Sequence, residues 1–319
     1  MNLPFHLVFC GTPAFAVPTL EQLAKVGIAI QLVVTRLDKP KGRGMEMAES
    51  PVKQSAAALG LPIAQPPAIK NNTEFRAQLE ALKPDAIVVV GYGRIIPQWM
   101  IDLPPLGNIN LHSSLLPKYR GAAPVQWAIA SGETVTGVTT MRIDAGLDTG
   151  DILLQHEMNV TPEDTAVTLS PKLAAIGADL VVQTLRHLRD GSIHPQPQDH
   201  AKASLAPILQ KEDGRIDFHR SAKEILDRLR GFQPWPGAYT TFRGKQLVIC
   251  GARIARHAPI QEPGSLVVAG NQLFARCFDL FLELLAVQPE GKKKMMAHDF
   301  LNGYRVLPGE KLGENLGRS

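Results

Sequence analysis

The chain reads as an α/β protein in two parts. A doubly wound, Rossmann-like N-terminal domain with a mostly parallel sheet precedes an OB-like β-barrel domain. Three observations predict this. Near-continuous apolar runs at residues 5–11, 28–35 and 85–91 alternate with helical patterns, as strands covered on both faces do. Composition changes after Arg189, where Pro195, Pro197 and Pro207 collect among polar residues. Beyond them, five short strand candidates lie close together, punctuated by Gly and Pro. The expected domains are 1–190 and 210–319, joined by a linker at 191–209.

The elements follow in order. Residues 5–11 form the first strand, ending at Gly11. Thr12 is the expected N-cap, and Pro13 the first helical residue, of a helix through Leu20 and Leu23 that Gly27 ends. A second strand covers 28–35, and a basic, glycine-containing loop follows at 38–44. Ser50-Pro51 opens a helix that runs to Gly60. The most apolar strand, 85–91, leads into Tyr92-Gly93-Arg94-Ile95-Ile96-Pro97. A helix near 124–131 precedes strands at 135–143 and 152–160. Leu169, Leu173, Ile176, Leu180, Leu185 and Leu188 recur at helical spacing, so 165–189 is a long helix. In the second part a helix at 221–231 precedes strands at 238–242, 246–252, 264–268, 273–277 and 281–287.

Bulk properties narrow the function classes. With 45% hydrophobic and 20% charged residues, the chain has the makeup of a folded globular protein. No apolar run approaches a membrane span, and the N-terminus lacks the charged and apolar regions of a signal peptide. Three widely spaced cysteines, Cys10, Cys250 and Cys277, show no metal-ligand spacing and suit a reducing, cytoplasmic compartment. A net charge of +4 is compatible with a polyanionic partner without demanding one.

The chemistry centres on the stretch from Asn110 to Gly121. Asn110 and His112 are two residues apart at a strand end, so they point to one face. An amide can donate to a developing oxyanion, and an imidazole can move a proton near neutral pH. No Gly-x-Ser-x-Gly turn or suitably placed Cys supports a covalent mechanism, and Gly11–Phe15 is not the GxGxxG of a dinucleotide site. The loop from Asp144 to Asp151 adds three carboxylates: Asp144, Asp148 and Asp151. They can cap turns, bind a metal, or orient and charge-stabilise His112; position alone does not choose. Two basic segments remain, Lys39, Lys41 and Arg43 in one domain and Lys292, Lys293 and Lys294 in the other. Each reads alone as a solvated turn; the two together favour contacts to phosphates.

Asn110-x-His112-x-Ser114-Leu115-Leu116-Pro117-x-x-Arg120-Gly121, followed by Asp144-x-Gly146-x-Asp148-x-Gly150, resembles the signature of the folate-dependent formyltransferases. Gly11-Thr12-Pro13-x-Phe15-Ala16, the basic loop, and the segments 211–217 and 288–293 are similar to the two-domain branch that formylates methionyl-initiator tRNA. The resemblance implies transfer from 10-formyltetrahydrofolate, without a metal, in translation initiation. It implies Asn110, His112 and Asp148 as the catalytic set. Arg94, Ile95, Ile96, Ser114, Leu115, Leu116 and Pro117 are then expected to hold the folate. Phe15 is expected near the methionine side chain, the Arg43 loop at the acceptor stem, and the second domain around the tRNA. A monomer without membrane association is expected. Two departures stand out: Met45, Glu46, Met47 and Glu49 replace the usual lysines after the loop, and Tyr119 replaces a common tryptophan. A sugar-nucleotide N-formyltransferase is the nearer alternative, which the two basic segments disfavour. A non-catalytic RNA-binding module is the more distant one, which the Asn–His–Asp set disfavours.

Overall fold

Strands whose every residue is apolar must be covered on both faces, and this sets the architecture of the first half. The structure, a computed structural model, describes residues 6–41, 46–256 and 261–314. Two compact units emerge. One comprises Met1–Pro124, Val135–Asn159 and Ser170–Pro207; the other comprises Val125–Thr134, Val160–Leu169 and Ile208–Ser319.

In the first unit lie β1 (His6–Gly11), α1 (Val17–Lys25), β2 (Ala29–Val34), β3 (Lys39–Lys41), β4 (Glu46–Ala48), α2 (Pro51–Ala58) and β5 (Ile63–Ala64). Next come α3 (Thr73–Leu82), β6 (Ala86–Val90), α4 (Gln98–Ile101), β7 (Asn108–His112), β8 (Val135–Arg142), β9 (Ile152–Asn159) and, from Ser170 on, α6 (Ala166–Arg189), while α5 (Pro124–Ala130), which falls between β7 and β8 in the chain, belongs from Val125 on to the second unit. Seven strands form a sheet in the order β5-β2-β1-β6-β7-β8-β9. The pairs from β5 to β7 are parallel; β7–β8 and β8–β9 are antiparallel. Leu7, Val8, Phe9 and Cys10 of β1 have no exposed surface, and all of β6 is buried. From β1 the chain builds outward to β2 and β5, then returns to the other side of β1 with β6. The topological switch therefore lies between β1 and β6, the place where open α/β sheets part to admit ligands.

Three local features differ from expectation. Ala14–Ala16 form a single 3-10 turn, and α1 starts at Val17 with Pro18 in its first turn. Thr12 does not cap it because Pro13 holds the position before Ala14; the Thr12 hydroxyl donates instead to the Tyr92 carbonyl at 3.2 Å. Helix α3 was not anticipated; the Asn72 side chain caps it by accepting from the Phe75 N–H at 3.0 Å. The stretch 191–209, expected to be a linker, carries ordered contacts. Ile152 and Gln196 exchange backbone hydrogen bonds at 2.8 Å, and Gln198 and Ala206 are buried. Polar composition misled here because the polar groups are bonded to the first unit's own backbone.

In the second unit, α7 (Ala222–Gly231) opens with a capping box between Ser221 and Glu224. Strands β10 (Ala238–Phe242), β11 (Lys245–Ala255), β12 (Leu266–Ala269), β13 (Gln272–Arg276) and β14 (Phe281–Pro289) form an antiparallel sheet in the order β10-β11-β14-β13-β12. The short β15 (Met295–Met296) pairs with β14. Alternation along β10, buried at Ala238, Thr240 and Phe242, turns one face to a core shared with Leu229 and Leu284. Helix α8 (Ala297–Tyr304), absent from the sequence reading, adds Phe300, whose ring lies 5.4 Å from that of Phe242.

One close approach sets the position of β7. The Cβ of an alanine at Gly177 in α6 would stand 2.6 Å from Leu111 Cδ2 of β7. Helix and strand meet only because position 177 has no side chain. Gly177→Ala gains up to about 1 kcal/mol of helix propensity but overpacks at a cost of about 1–3 kcal/mol. The expected outcome is a net loss on the order of 1 kcal/mol in urea unfolding, and a larger one for Gly177→Val. An unchanged or raised midpoint for both would mean that Leu111 gives way freely.

Candidate active site

A cleft of about 540 Å³ opens at the switch point, a size typical of small-molecule sites. Pro13 and Phe15 line it after β1, residues 91–96 after β6, and Asn110 to Ser113 at the end of β7. The fourth wall is the β8–β9 loop, Ile143 to Asp148. Arg142 pairs with Ile109, so this loop leaves β8 beside the start of β7. It must fold back along that strand to bring Asp148 to His112.

On β7, period-two alternation sends Leu111 against Gly177 and leaves Asn110 and His112 on the cleft face. Among the described residues, no side-chain hydrogen bond occupies the Asn110 carboxamide, so its N–H groups are available to a ligand. His112 is only 6% exposed; one ring nitrogen is hydrogen-bonded and the other faces a carboxylate. Nε2 lies 2.9 Å from the Tyr119 carbonyl. A carbonyl only accepts, so Nε2 carries a proton and donates it. Nδ1 faces Asp148 Oδ2 at 3.8 Å. The same oxygen accepts the Gly121 N–H at 2.8 Å. Tyr119 and Asp148, the two residues that meet the ring, both have left-handed backbones, with φ of 62° and 51°. Such residues cost about 1–3 kcal/mol each and persist only where their surroundings over-determine them.

The three carboxylates separate clearly. Asp144 accepts from the Gly146 N–H at 3.1 Å and from the Thr149 hydroxyl at 2.8 Å, so it closes its own turn. The Asp151 carbonyl accepts the Arg142 N–H at 2.9 Å, at the base of the loop. Asp144 and Asp148 both line the cleft, and of the three it is Asp148 whose carboxylate lies beside His112. Among the described residues no three His, Cys, Asp or Glu side chains gather as a metal site would need.

The remaining expected residues divide. Phe15, Arg94, Ile95 and Ile96 line the cleft; Arg94 Nη1 donates to the Pro67 carbonyl at 2.7 Å, and Ile95 is 90% exposed. Ser114, Leu115, Leu116 and Pro117 do not line it. The Ser114 hydroxyl donates to the Lys118 carbonyl at 2.6 Å, and Leu116 is buried with its N–H donating to Thr139 Oγ1 at 3.1 Å. These four form the turn beneath the end of β7. Tyr92, not foreseen, lines the cleft with a buried hydroxyl that has no hydrogen-bond partner among the described residues. Burial pushes its phenol up to about 12, so it stays protonated. Burial also pushes the Cys10 thiol up, which removes it as a nucleophile.

The basic loop is a hairpin in which Lys39 pairs with Ala48 and Lys41 with Glu46. Arg43 lies outside the described residues. Glu49, expected to reduce the loop's positive charge, is paired with Lys53 at 3.0 Å, and Lys53 also meets Asp38 at 2.6 Å. Lys39, Lys292, Lys293 and Lys294 are exposed, and among the described residues none of them is in an ion pair. Sequence reasoning missed Gln198 and Ser204, and gave no role to Arg120 within the signature it quoted; the three hold the turn and loop around His112. No local signal marks Gln198 and Ser204, because their partners lie tens of residues away.

Residues 6–185 match the family model for formyl transferase, and residues 208–305 match that for formyl transferase, C-terminal domain. The chain is 65% identical over 308 residues to the methionyl-tRNA formyltransferase of Koribacter versatilis, covering 96% of this chain and 98% of that one. It is 60% identical to the enzyme of the same name from Acidobacterium capsulatum, covering 96% and 99%. Among solved structures, the sugar 3N-formyl transferase WlaRD, crystallised with dTDP and 5-N-formyl-THF, superposes with a TM-score of 0.66 at 20% identity, covering 92% of this chain and 100% of that one. HypX from Aquifex aeolicus in complex with tetrahydrofolic acid gives 0.63 at 17% identity, covering 95% and 48%. At these identities the two structures bear on the fold alone. By two family models and by likeness along its whole length, the chain belongs to the formyl transferase family.

Proposed function

We propose that the protein transfers the formyl group of 10-formyltetrahydrofolate to the α-amine of methionine on initiator tRNA, acting in the cytoplasm as a monomer in translation initiation. The observation that carries the reaction class is the clamped His112–Asp148 pair, with the Asn110 amide on the same cleft face. The full-length likeness to methionyl-tRNA formyltransferases supports the acceptor. Phe15 and the apolar surface of Ile95 and Ile96 suit flat or apolar substrate parts, and Arg94 suits a carboxylate. Ser114 to Pro117 serve the folate indirectly, by holding the end of β7.

In this reading the amine attacks the formyl carbon. Asn110 donates to the oxygen that becomes negative. His112 has its Nε2 proton committed to Tyr119, so Nδ1 is the free base. It takes the proton lost by the attacking nitrogen and returns one to the departing folate nitrogen. Asp148 stabilises the imidazolium between those steps. The second unit and the basic hairpin hold the tRNA, through Lys292, Lys293, Lys294, Lys39, Lys41 and Arg43. A sugar nucleotide offers no counterpart for two separate basic segments, which disfavours it as acceptor.

The test is incubation with methionyl-tRNA and labelled formyl donor; label on the tRNA supports the reading, and label on an amino sugar nucleotide alone refutes it. His112→Ala is expected to lower turnover by about a hundredfold or more while leaving the fold intact. Asp148→Asn is the cleaner probe, because asparagine tolerates the left-handed backbone and keeps the shape while removing the charge. It should cost far more turnover than Asp144→Asn, whose carboxylate only closes its own turn. An equally inactive Asp144→Asn enzyme would shift the assignment to that residue.

The tRNA contact has its own signature. Replacing Lys292, Lys293 and Lys294 by glutamine should weaken methionyl-tRNA binding and reduce the slope of log affinity against log salt by up to about three. Affinity for the folate should stay as it is. A titration with an unchanged slope would take this segment out of the RNA contact.

A further inference from the structure

We propose that Gln198 is a positioning residue: its carboxamide, held by the Arg120 guanidinium, donates both N–H groups to the Asp148 and Gly150 carbonyls and so fixes where the Asp148 carboxylate meets His112. The inference rests on the role assigned to Asp148 above. Gln198 is 5% exposed and Arg120 7%. Gln198 Nε2 lies 2.9 Å from the Asp148 carbonyl and 2.7 Å from that of Gly150. Its Oε1 accepts from Arg120 Nε at 3.1 Å and Nη2 at 2.6 Å. The amide orientation is forced, since a guanidinium cannot accept and a carbonyl cannot donate. All four hydrogen-bonding positions of the carboxamide are used.

The surrounding segment clamps the other side of His112. The Tyr119 N–H donates to Ser204 Oγ at 2.9 Å, and the Arg120 N–H to the Ser204 carbonyl at 2.8 Å. The Ala206 N–H returns to the Arg120 carbonyl at 2.7 Å. Arg120 Nη2 also meets His200 Nδ1 at 3.1 Å. Residues 198–206 thus tie the turn that carries Tyr119 and Gly121 to the loop that carries Asp148.

Two facts make this positioning rather than general support. Asp148 adopts the left-handed backbone with a φ of 51°, and the two bonds from Gln198 fall on its own carbonyl and the one two residues on. The turn at the start of the loop is already closed by Asp144, Gly146 and Thr149. Without the Gln198 donors, the Gly121 N–H on the carboxylate is left to hold Asp148, the peptide loses the bonds on its own carbonyl that oppose a return to an ordinary backbone conformation, and the carboxylate shifts with it.

Two variants separate the amide's roles. Gln198→Met has similar length and no donors or acceptors. Gln198→Glu keeps both acceptors for Arg120 but offers no donors to the two carbonyls. Both are expected to lower kcat per folded protein by about tenfold to a hundredfold, with KM for the formyl donor within about twofold of wild type. Gln198→Glu should also melt closer to wild type than Gln198→Met, because Arg120 keeps its partner. Wild-type and Asp148→Asn enzymes run alongside. No transfer by the wild type refutes the proposed reaction, and wild-type turnover in Asp148→Asn refutes the role of Asp148; either result takes this inference with it. With both controls as expected, a Gln198→Glu enzyme that keeps kcat within about twofold overturns the inference. A loss confined to KM, or a failure of both variants to fold, overturns it as well.

Discussion

The site depends on a histidine that has no freedom left. His112 donates from Nε2 to a backbone carbonyl and presents Nδ1 to a carboxylate, while only 6% of it is exposed. A buried ring cannot turn to water for a lost partner, so its tautomer is set by the chain alone. Nδ1 and Asp148 Oδ2 face each other at 3.8 Å, too far for a hydrogen bond and near enough for a charge to be felt. While Nδ1 is unprotonated, two lone-pair-bearing atoms oppose each other. A proton arriving on Nδ1 turns that opposition into attraction. In the proposed reaction, attack by a primary amine releases a proton of this kind, and on that reading the pair suits the charge that forms in the reaction better than the resting state.

Holding that clamp needs several elements of the first unit at once. The Tyr119 carbonyl and the Asp148 carboxylate come from segments 29 residues apart, both with left-handed backbones. Strand β7 sits where the sheet changes from parallel to antiparallel, with β6 on one side and β8 on the other. Its close contact with α6 at Gly177 leaves the opposite face for Asn110 and His112. The antiparallel return of β8 releases the aspartate loop beside Ile109, three residues short of His112 along β7. Three strand residues span roughly 10 Å, and the loop covers that distance without regular structure of its own. The loop thus depends on tethers, which it receives from Gly121 and Gln198.

This geometry explains what could be read before any coordinates. Strands β1, β2 and β6 were legible because burial on both faces leaves a near-continuous apolar run, and the Asn110–His112 pair because strand alternation is local; the two-residue β5 is too short to leave such a run. The choice among Asp144, Asp148 and Asp151 was not legible from spacing. It turns on how far a loop folds back over a strand, and only the resemblance to a family chose among them. Residues 191–209 were read as a linker for a related reason. Gln198 has its partners 48 to 78 positions away, so its neighbours in sequence carry no trace of them. Thr12 illustrates the converse: its sequence context suits a helix cap, but the first turn starts at Ala14 and leaves it one residue too early to serve.

Charge needed the structure for another reason. A net +4 spread over 34 basic and 30 acidic residues says little about partners, because it does not tell which cations are already neutralised. Lys53, Arg243 and Arg253 each meet a carboxylate within 2.7 Å. Their charge is largely cancelled locally and contributes little field at a distance. Lys292, Lys293 and Lys294 lie together after the left-handed Gly291, exposed and outside any ion pair among the described residues. Lys39 stands likewise at the base of its hairpin. Lys39 in the first unit and Lys292, Lys293 and Lys294 in the second are therefore, among the described residues, cations that no carboxylate neutralises. Surface charge left unpaired in this way is available to a phosphate-bearing partner, in either unit taken by itself.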